Sequence, residues 1–404
     1  MVLHRSAERQ GVMKAAFHTL GCKVNQYETE SLKEQFKQLG YEIVPETSVA
    51  DVYVVNTCTV TNLADRKSRQ FIRRAHRVNP GAVIAVTGCY IQMNPEEASA
   101  IEGVDVVCGI NEKHHLASMV EQFRSDRQKR IRIREYQELQ EYEDTGIIYA
   151  MESRSRAFVK IQEGCDRFCS YCIIPYARGR VRSRDEEEIV REVAGLVERG
   201  YPEIVLTGIN TALYGKERGN LGIVPLLAKL EELPGDFRIR LSSLEPTVID
   251  AEYVKGLFGF SRLCHHLHLS IQSGSDTVLA RMNRRYSRTD YLEIVSALRE
   301  FDPCYGISTD IIVGFPGETE EEFQDSISMI HEADFCRVHG FRYSMRKGTK
   351  AAEMSGQISG TVKQARIEAL QDVADEQELR FRERCRGEVR RVLFETYDPD
   401  TGLA

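Results

Sequence analysis

The sequence predicts an α/β protein built from two units, an open parallel sheet followed by six β/α repeats that form a TIM-like barrel without full closure. Short apolar runs alternate with helix-like stretches through most of the chain. A charged segment from Arg124 to Met151 interrupts the alternation once. Six strand-like runs follow that interruption.

In the first unit the strand-like runs are Ala15–Thr19, Val52–Val55, Val83–Thr87 and Val104–Val107. Helical stretches at Gln26–Leu39, closed by Gly40, at Asn62–Arg77 and at Pro95–Ile101 separate them. Strand and helix in strict turn imply parallel pairing with helical crossovers. The segment 124–156 reads as a linker or exposed hairpin, first basic and then acidic. The second unit, 157–386, carries strand-like runs at Phe158–Gln162, Ile204–Thr207, Arg238–Leu241, Leu267–Ile271, Ser308–Val313 and Val338–Tyr343. Its helical stretches include Glu186–Arg199, Arg288–Phe301 and Glu320–Ala333. A long amphipathic helix, Val362 to Cys385, shows no sustained heptad and is expected to pack on the barrel. Glu388–Glu395 alternates like one more strand, in a last segment 387–404. The first unit is taken as 13–123, with Met13 a candidate start.

With 404 residues, 42% of them hydrophobic and 28% charged, the chain has the make-up of a globular protein of two or three domains. No apolar run reaches the length of a membrane span, and the polar start lacks a secretory core, so a cytoplasmic location is expected. The net charge of -7 argues against indiscriminate nucleic-acid binding but leaves room for a local basic face. Eleven cysteines, an odd count in such a chain, do not suggest a disulfide framework. Cys108, Cys264, Cys304, Cys336 and Cys385 stand singly and read as small packed residues.

The other six cysteines do not fit that reading. Cys165, Cys169 and Cys172 fall in one short run, Gly164-Cys165-Asp166-Arg167-Phe168-Cys169-Ser170-Tyr171-Cys172, directly after the first strand of the second unit. Three thiolates from one loop can hold a [4Fe–4S] cluster and leave one iron open to a substrate. A zinc site would ordinarily want a fourth ligand from a distant pair, and no such pair follows. Glycine-bearing segments recur at later strand ends: Thr207-Gly208-Ile209-Asn210, Ser242-Ser243-Leu244-Glu245, Gln272-Ser273-Gly274-Ser275 and Val313-Gly314-Phe315-Pro316-Gly317-Glu318. In the first unit Cys22, Cys58 and Cys89 each follow a different strand, and the carboxyl ends of parallel strands share one edge of a sheet. The alternative for this dispersed trio is three unrelated buried cysteines.

The loop around Cys165, Cys169 and Cys172, with Tyr171 before the last cysteine, resembles the radical S-adenosylmethionine superfamily. Both trios together resemble its methylthiotransferase family across nearly the whole chain. Gly21-Cys22-Lys23-Val24-Asn25-Gln26-Tyr27-Glu28 and Asn56-Thr57-Cys58-Thr59-Val60-Thr61 are similar to the bacterial branch acting on N6-threonylcarbamoyladenosine in tRNA. So are Ile173-Ile174-Pro175-Tyr176-Ala177-Arg178-Gly179 and Leu206-Thr207-Gly208-Ile209-Asn210-Thr211. The resemblance implies two [4Fe–4S] clusters, one on Cys22, Cys58 and Cys89, the other on Cys165, Cys169 and Cys172 with S-adenosyl-L-methionine chelated at its open iron. It implies cofactor contacts from Tyr171, Gly208, Asn210, Ser243, Glu245, Gln272, Ser273 and Gly314. It implies a methylthio group placed on C2 of adenosine 37, from two clusters facing one cavity. The implied partners are a tRNA anticodon loop, a sulfur donor and an electron donor such as flavodoxin or ferredoxin, with no membrane and a monomeric chain.

Arginines offer candidate RNA contacts: Arg178, Arg180, Arg182 and Arg184 beside the cluster loop, Arg284, Arg285 and Arg288 at a later strand end, and Arg66, Lys67, Arg69, Arg73, Arg74 and Arg77 on one helix. The group around Arg178 is favoured because it adjoins the chemistry. Two features depart from the family. Relatives commonly end in a small RNA-binding β-barrel called TRAM, of which Val389–Glu395 looks like a first strand and the remainder is missing, so weaker tRNA affinity is expected. Relatives also often carry proline after the phenylalanine where this chain reads Phe341-Arg342. Alternatives are the same chemistry on isopentenyladenosine of tRNA or on a ribosomal-protein aspartate, and a non-enzymatic metal-bearing RNA-binding protein.

Overall fold

The computed structural model describes residues 12–151, 155–219, 222–395 and 398. Two compact units are present: residues through Glu138 with Glu143–Ile148, and Leu139–Tyr142 with Tyr149 onward. No helix among the described residues is long and apolar enough to cross a membrane.

The first unit is a six-stranded sheet of β1 (Lys14–Thr19), β2 (Glu42–Val44), β3 (Val52–Thr57), β4 (Val83–Gly88), β5 (Val106–Cys108) and β6 (Arg130–Arg132). Its order is β2-β1-β3-β4-β5-β6, and every pairing is parallel. Helices cover both faces, which is why β3 and β4 read as unbroken apolar runs. Val52 and Val54 enter one core with Phe36 and Leu116, while Tyr53 and Val55 enter the other with Ile72 and Ile91. Two strands go beyond the expectation. β2 is a three-residue edge strand, and β6 lies inside the segment expected as a linker. Backbone pairing of β6 to β5 holds this charged stretch on the sheet, although Ile131 is exposed.

The second unit contains β7 (Arg156–Lys160), β8 (Gln162–Glu163), β9 (Arg182–Ser183), β10 (Glu203–Thr207), β11 (Arg238–Leu241), β12 (His266–His268), β13 (Gly306–Val313) and β14 (Arg337–Arg342). Parallel sheets β7-β10-β11 and β12-β13-β14 are linked by parallel bridges Ile239–Leu263 and Leu244–Leu269. The six parallel strands therefore follow chain order, and β7 does not pair with β14 among the described residues. This is the open barrel that the sequence predicts. Its helices start where their caps stand. Asp185 accepts from Glu187 and Glu188 N–H, while Ser287 with Asp290 and Thr319 with Glu322 form capping boxes. The helix Gly360–Arg384 packs on β14 through Leu370.

The tail corrects one expectation, because residues 388–395 form no strand. Ion pairs hold this segment against the second unit. Arg390 grips Asp302 at 2.6 and 2.8 Å, and Arg391 grips Asp236 at 2.8 and 2.7 Å.

Candidate metal centres and their surroundings

In the first unit, β1, β3 and β4 are neighbours, so Cys22, Cys58 and Cys89 follow three adjacent strand ends. Cys22 caps the helix Lys23–Gln38 and is exposed, whereas Cys58 and Cys89 are buried. Amide and hydroxyl side chains lace these ends together. Asn25 Nδ2 donates to Leu20 O at 2.6 Å and Thr57 O at 3.0 Å, Asn56 Nδ2 donates to Asn25 O at 3.0 Å, and Thr57 Oγ1 donates to Thr87 O at 2.6 Å. Glycines allow close approach: a Cβ on Gly21 would lie 3.1 Å from Cys58 Sγ, and one on Gly88 would lie 2.3 Å from Thr57 O. Asn56 Oδ1 and Thr87 Oγ1 are buried without a hydrogen-bond partner beside Cys58 and Cys89. These atoms leave hydrogen-bonding capacity that a bound group could use.

In the second unit the loop leaves β8 at Gly164, whose φ of +72° and contact with Arg180 O admit no side chain: a Cβ would lie 1.8 Å from that oxygen. Phe168 adopts a left-handed conformation, braced by Asn283 Nδ2 donating to its carbonyl at 3.0 Å. Ser170 N donates to Met282 O at 3.0 Å, and its Oγ donates to Arg281 O at 2.8 Å. Burial pushes the Cys165 thiol up to about 12 and raises Cys169 and Cys172 as well, and the Arg284 guanidinium works against the rise at all three. A buried thiol of this kind ionises when a metal takes the place of its proton.

The strand-end segments converge on this loop through charged side chains. Glu245 accepts from Arg167 Nε at 3.0 Å, Asn210 Nδ2 at 2.8 Å and Arg284 Nη1 at 2.9 Å. Arg284 Nη2 donates to Tyr171 Oη at 2.8 Å. Gln162 Oε1 accepts from Asn210 N at 3.0 Å, and a Cβ on Gly208 would lie 2.8 Å from the same oxygen. Ser243 O accepts from Thr211 N and Oγ1. Gln272, at a φ of +72°, pairs its backbone with Asp310 and Ile312. Ser273 Oγ meets Ser326, and Gly314 N donates to Glu318 at 2.6 Å. The last two are therefore engaged within the fold. Asn210 Oδ1, Ser242 Oγ and Arg284 Nε remain buried without a partner. These three atoms keep hydrogen-bonding capacity that a polar ligand could use. Among the described residues, no three Cys, His, Asp or Glu side chains close on one point as a single-ion site requires. A cubane cluster binds each thiolate to a different iron and so accepts a wider trio.

The favoured RNA contacts need correction. Arg178, Arg182 and Arg184 are buried. Arg178 pairs with Glu163, Arg182 Nη1 donates to Arg178 O at 2.9 Å, and Arg184 pairs with Glu192 at 2.5 Å. An arginine spent on interior partners cannot reach a phosphate. Arg284 is buried in the loop network, and Arg288 clamps Gly274 O and Asp325 O at 3.0 and 2.8 Å. Arg180 and Arg285 are exposed, as are Arg66, Lys67, Arg73, Arg74 and Arg77, while Arg69 leans on Tyr90 and Glu97. The sequence reading missed Arg167, whose only signal was a cation between the first two cysteines of the loop. Of the five cysteines read as packing residues, Cys108 is fully buried and the other four are half-buried.

Both trios fall within stretches that match known families. Residues 14–109 match the model of the "Uncharacterized protein family UPF0004", and residues 159–330 match the Radical SAM superfamily. A Bacillus subtilis relative named threonylcarbamoyladenosine tRNA methylthiotransferase MtaB is 45% identical over 94% of this chain and 84% of its own. The Thermotoga maritima protein of the same name is 40% identical over 94% and 86%. A Clostridium novyi protein named tRNA-2-methylthio-N(6)-dimethylallyladenosine synthase is 35% identical over 93% and 84%. Among solved structures, the radical S-adenosylmethionine methyltransferase TsrM from Kitasatospora setae shares the fold, with a TM-score of 0.62 at 15% identity over 84% of this chain and 77% of that one. The chain belongs to the methylthiotransferase family of radical S-adenosylmethionine enzymes.

Proposed function

We propose that this protein is a tRNA methylthiotransferase that adds a methylthio group to C2 of N6-threonylcarbamoyladenosine at position 37. The observation that carries the reading is the presence of two cysteine trios, each at the carboxyl ends of strands in its own α/β unit, in a chain whose threonylcarbamoyl-named relatives share more identity with it than the dimethylallyl-named ones. The C2 hydrogen of a purine is too weakly acidic for a side-chain base to remove it as a proton at useful cost, so the reaction needs a radical. With S-adenosylmethionine and a [4Fe–4S] cluster at Cys165, Cys169 and Cys172, the second unit would supply that radical, and the first unit would supply sulfur from a cluster at Cys22, Cys58 and Cys89.

The chain's own residues place the reactants. Arg167 and Tyr171 fix the two arms of the loop, while Asn210 Oδ1 and Ser242 Oγ offer hydrogen-bonding capacity to the methionine or ribose of the cofactor. Gly208 keeps the backbone bare at a strand end. Exposed Arg180, Arg285 and the basic face of the helix Asn62–Val78 are the cations assigned to RNA phosphates. The anticodon loop suits such an enzyme because its bases can be splayed out and read. The protein works in the cytoplasm as a monomer, with flavodoxin or ferredoxin as electron donor and a separate sulfur donor.

The test is anaerobic reconstitution followed by incubation with two tRNAs, one bearing threonylcarbamoyladenosine and the other isopentenyladenosine. Nucleoside mass spectrometry is expected to find the methylthio product on the first. Product on the second alone would replace the substrate reading. Bound zinc without sulfide would remove the enzyme reading altogether.

A further inference from the structure

Arg284 lies just past the helix Asp276–Arg281, with its backbone N–H on Leu279 O at 2.9 Å. Its side chain is nine-tenths buried, between the rings of Tyr171 and Tyr286, whose centroids are each 5.9 Å from its Cζ. Nη1 reaches Glu245 at 2.9 Å and Nη2 reaches Tyr171 Oη at 2.8 Å. Tyr171 stands between Cys169 and Cys172 in the loop. The other oxygen of Glu245 holds Arg167, which stands between Cys165 and Cys169, at 3.0 Å. One carboxylate and one guanidinium thus tie both arms of the cluster loop.

The ladder also carries charge. Two cations and one anion leave a single positive charge in a desolvated site beside three thiolates. The part-exposed Asp166–Lys216 pair, at 3.7 Å, is neutral and adds none. An electron entering a cluster adds negative charge, and a fixed cation in low dielectric stabilises that state more than it would in water.

We propose that Arg284 is a positioning residue for the cluster at Cys165, Cys169 and Cys172, fixing both arms of the loop through Glu245 and Tyr171 and biasing the cluster toward its reduced state. The inference rests on the reading that these three cysteines hold a cluster. It gives a buried arginine, read from sequence as an RNA contact, a role in electron acceptance instead.

The test uses the full chain with Cys22→Ala, Cys58→Ala and Cys89→Ala, so that only the loop can hold a cluster. Each protein is reconstituted anaerobically and titrated electrochemically without S-adenosylmethionine, with the reduced cluster followed by electron paramagnetic resonance. Relative to this parent, Arg284→Gln is expected to shift the midpoint negative and Glu245→Gln to shift it positive. Arg284→Lys keeps the charge but cannot bridge both partners, so its midpoint should stay near the parent while the signal broadens. General loosening of the loop would move the first two variants in the same direction, and that result, or an unmoved midpoint in Arg284→Gln, overturns the proposal. Should Arg284→Gln take up no iron, Glu245→Gln and Arg284→Lys decide by the same signs. A parent that loads no cluster would instead remove the underlying reading.

Discussion

The two cysteine trios are built in opposite ways. Cys22, Cys58 and Cys89 come from three strand ends, and the register of the sheet sets their spacing: Thr19 faces Asn56, and Thr57 faces Gly88. Neutral amides and hydroxyls lace these ends. Cys165, Cys169 and Cys172 come from one loop, and buried charges with a strict glycine set its shape. A dispersed site inherits its precision from the fold. A local site must import it from side chains elsewhere on the barrel.

The largest difference should appear in metal content. The wild-type chain is expected to take up about eight irons as two four-iron clusters. Replacing Cys165, Cys169 and Cys172 together by alanine should remove about half of the iron and sulfide and abolish 5′-deoxyadenosine formation. The same change at Cys22, Cys58 and Cys89 should remove the other half, leave S-adenosylmethionine cleavage intact and abolish methylthio product. Iron and sulfide analysis with product chromatography reads both. If either triple variant retained the full metal content, the division into two sites would be lost.

Glycines at the two sites give the next comparison. Gly164→Ala would force a methyl to within 1.8 Å of Arg180 O, and Gly88→Ala to within 2.3 Å of Thr57 O, both at positive φ. Strain and overpacking should destabilise each variant by about 3 kcal/mol. The consequences should differ. Gly164→Ala displaces a loop that lies outside the parallel sheets and should lose its cluster before the unit unfolds. Gly88→Ala sits in the sheet register, so cluster loss and unfolding should coincide. Urea titrations followed in parallel by the cluster's visible absorbance and by circular dichroism would separate the two, and coincident transitions in both variants would end the contrast.

The same contrast explains what was legible in the sequence. Cys165, Cys169 and Cys172 stand close together in the chain, and Val52–Val55 and Val83–Thr87 announce buried parallel strands, so the loop and the sheet under the first trio could be read directly. β2 and β6 could not, because three-residue edge strands are held by backbone pairing that leaves little side-chain pattern. Arginine is the harder case. Nothing local distinguishes Arg180, which is exposed, from Arg178 and Arg182, which are buried, because burial depends on Glu163 and on carbonyls that the fold supplies. Glu245 was visible as a strand-end residue, but its partner Arg284 read as a surface cation for the same reason.

The smallest expected effect concerns pH, and it should touch only the charged site. Ser170 of the cluster loop hangs on Arg281 O, and the Arg281 side chain binds Glu322 at 2.9 and 2.6 Å. The Arg281 guanidinium, with help from Thr277, holds the Glu322 carboxyl at about 2, below the ordinary glutamate range, although partial burial opposes the shift. A carboxyl depressed on folding contributes stability that is complete above its unfolded value, about 4.3, and fades as the pH falls toward 2. Glu322→Gln should therefore cost about 1 kcal/mol at pH 7, after allowance for solvent screening, and almost nothing near pH 2. The hydrogen bonds that lace the first trio involve no titratable side chain, so amide exchange there should not respond to the substitution at either pH. Urea unfolding of the two proteins at pH 7 and at pH 2.5 measures the difference. An equal cost at both would mean that Glu322 acts through packing rather than through its charge.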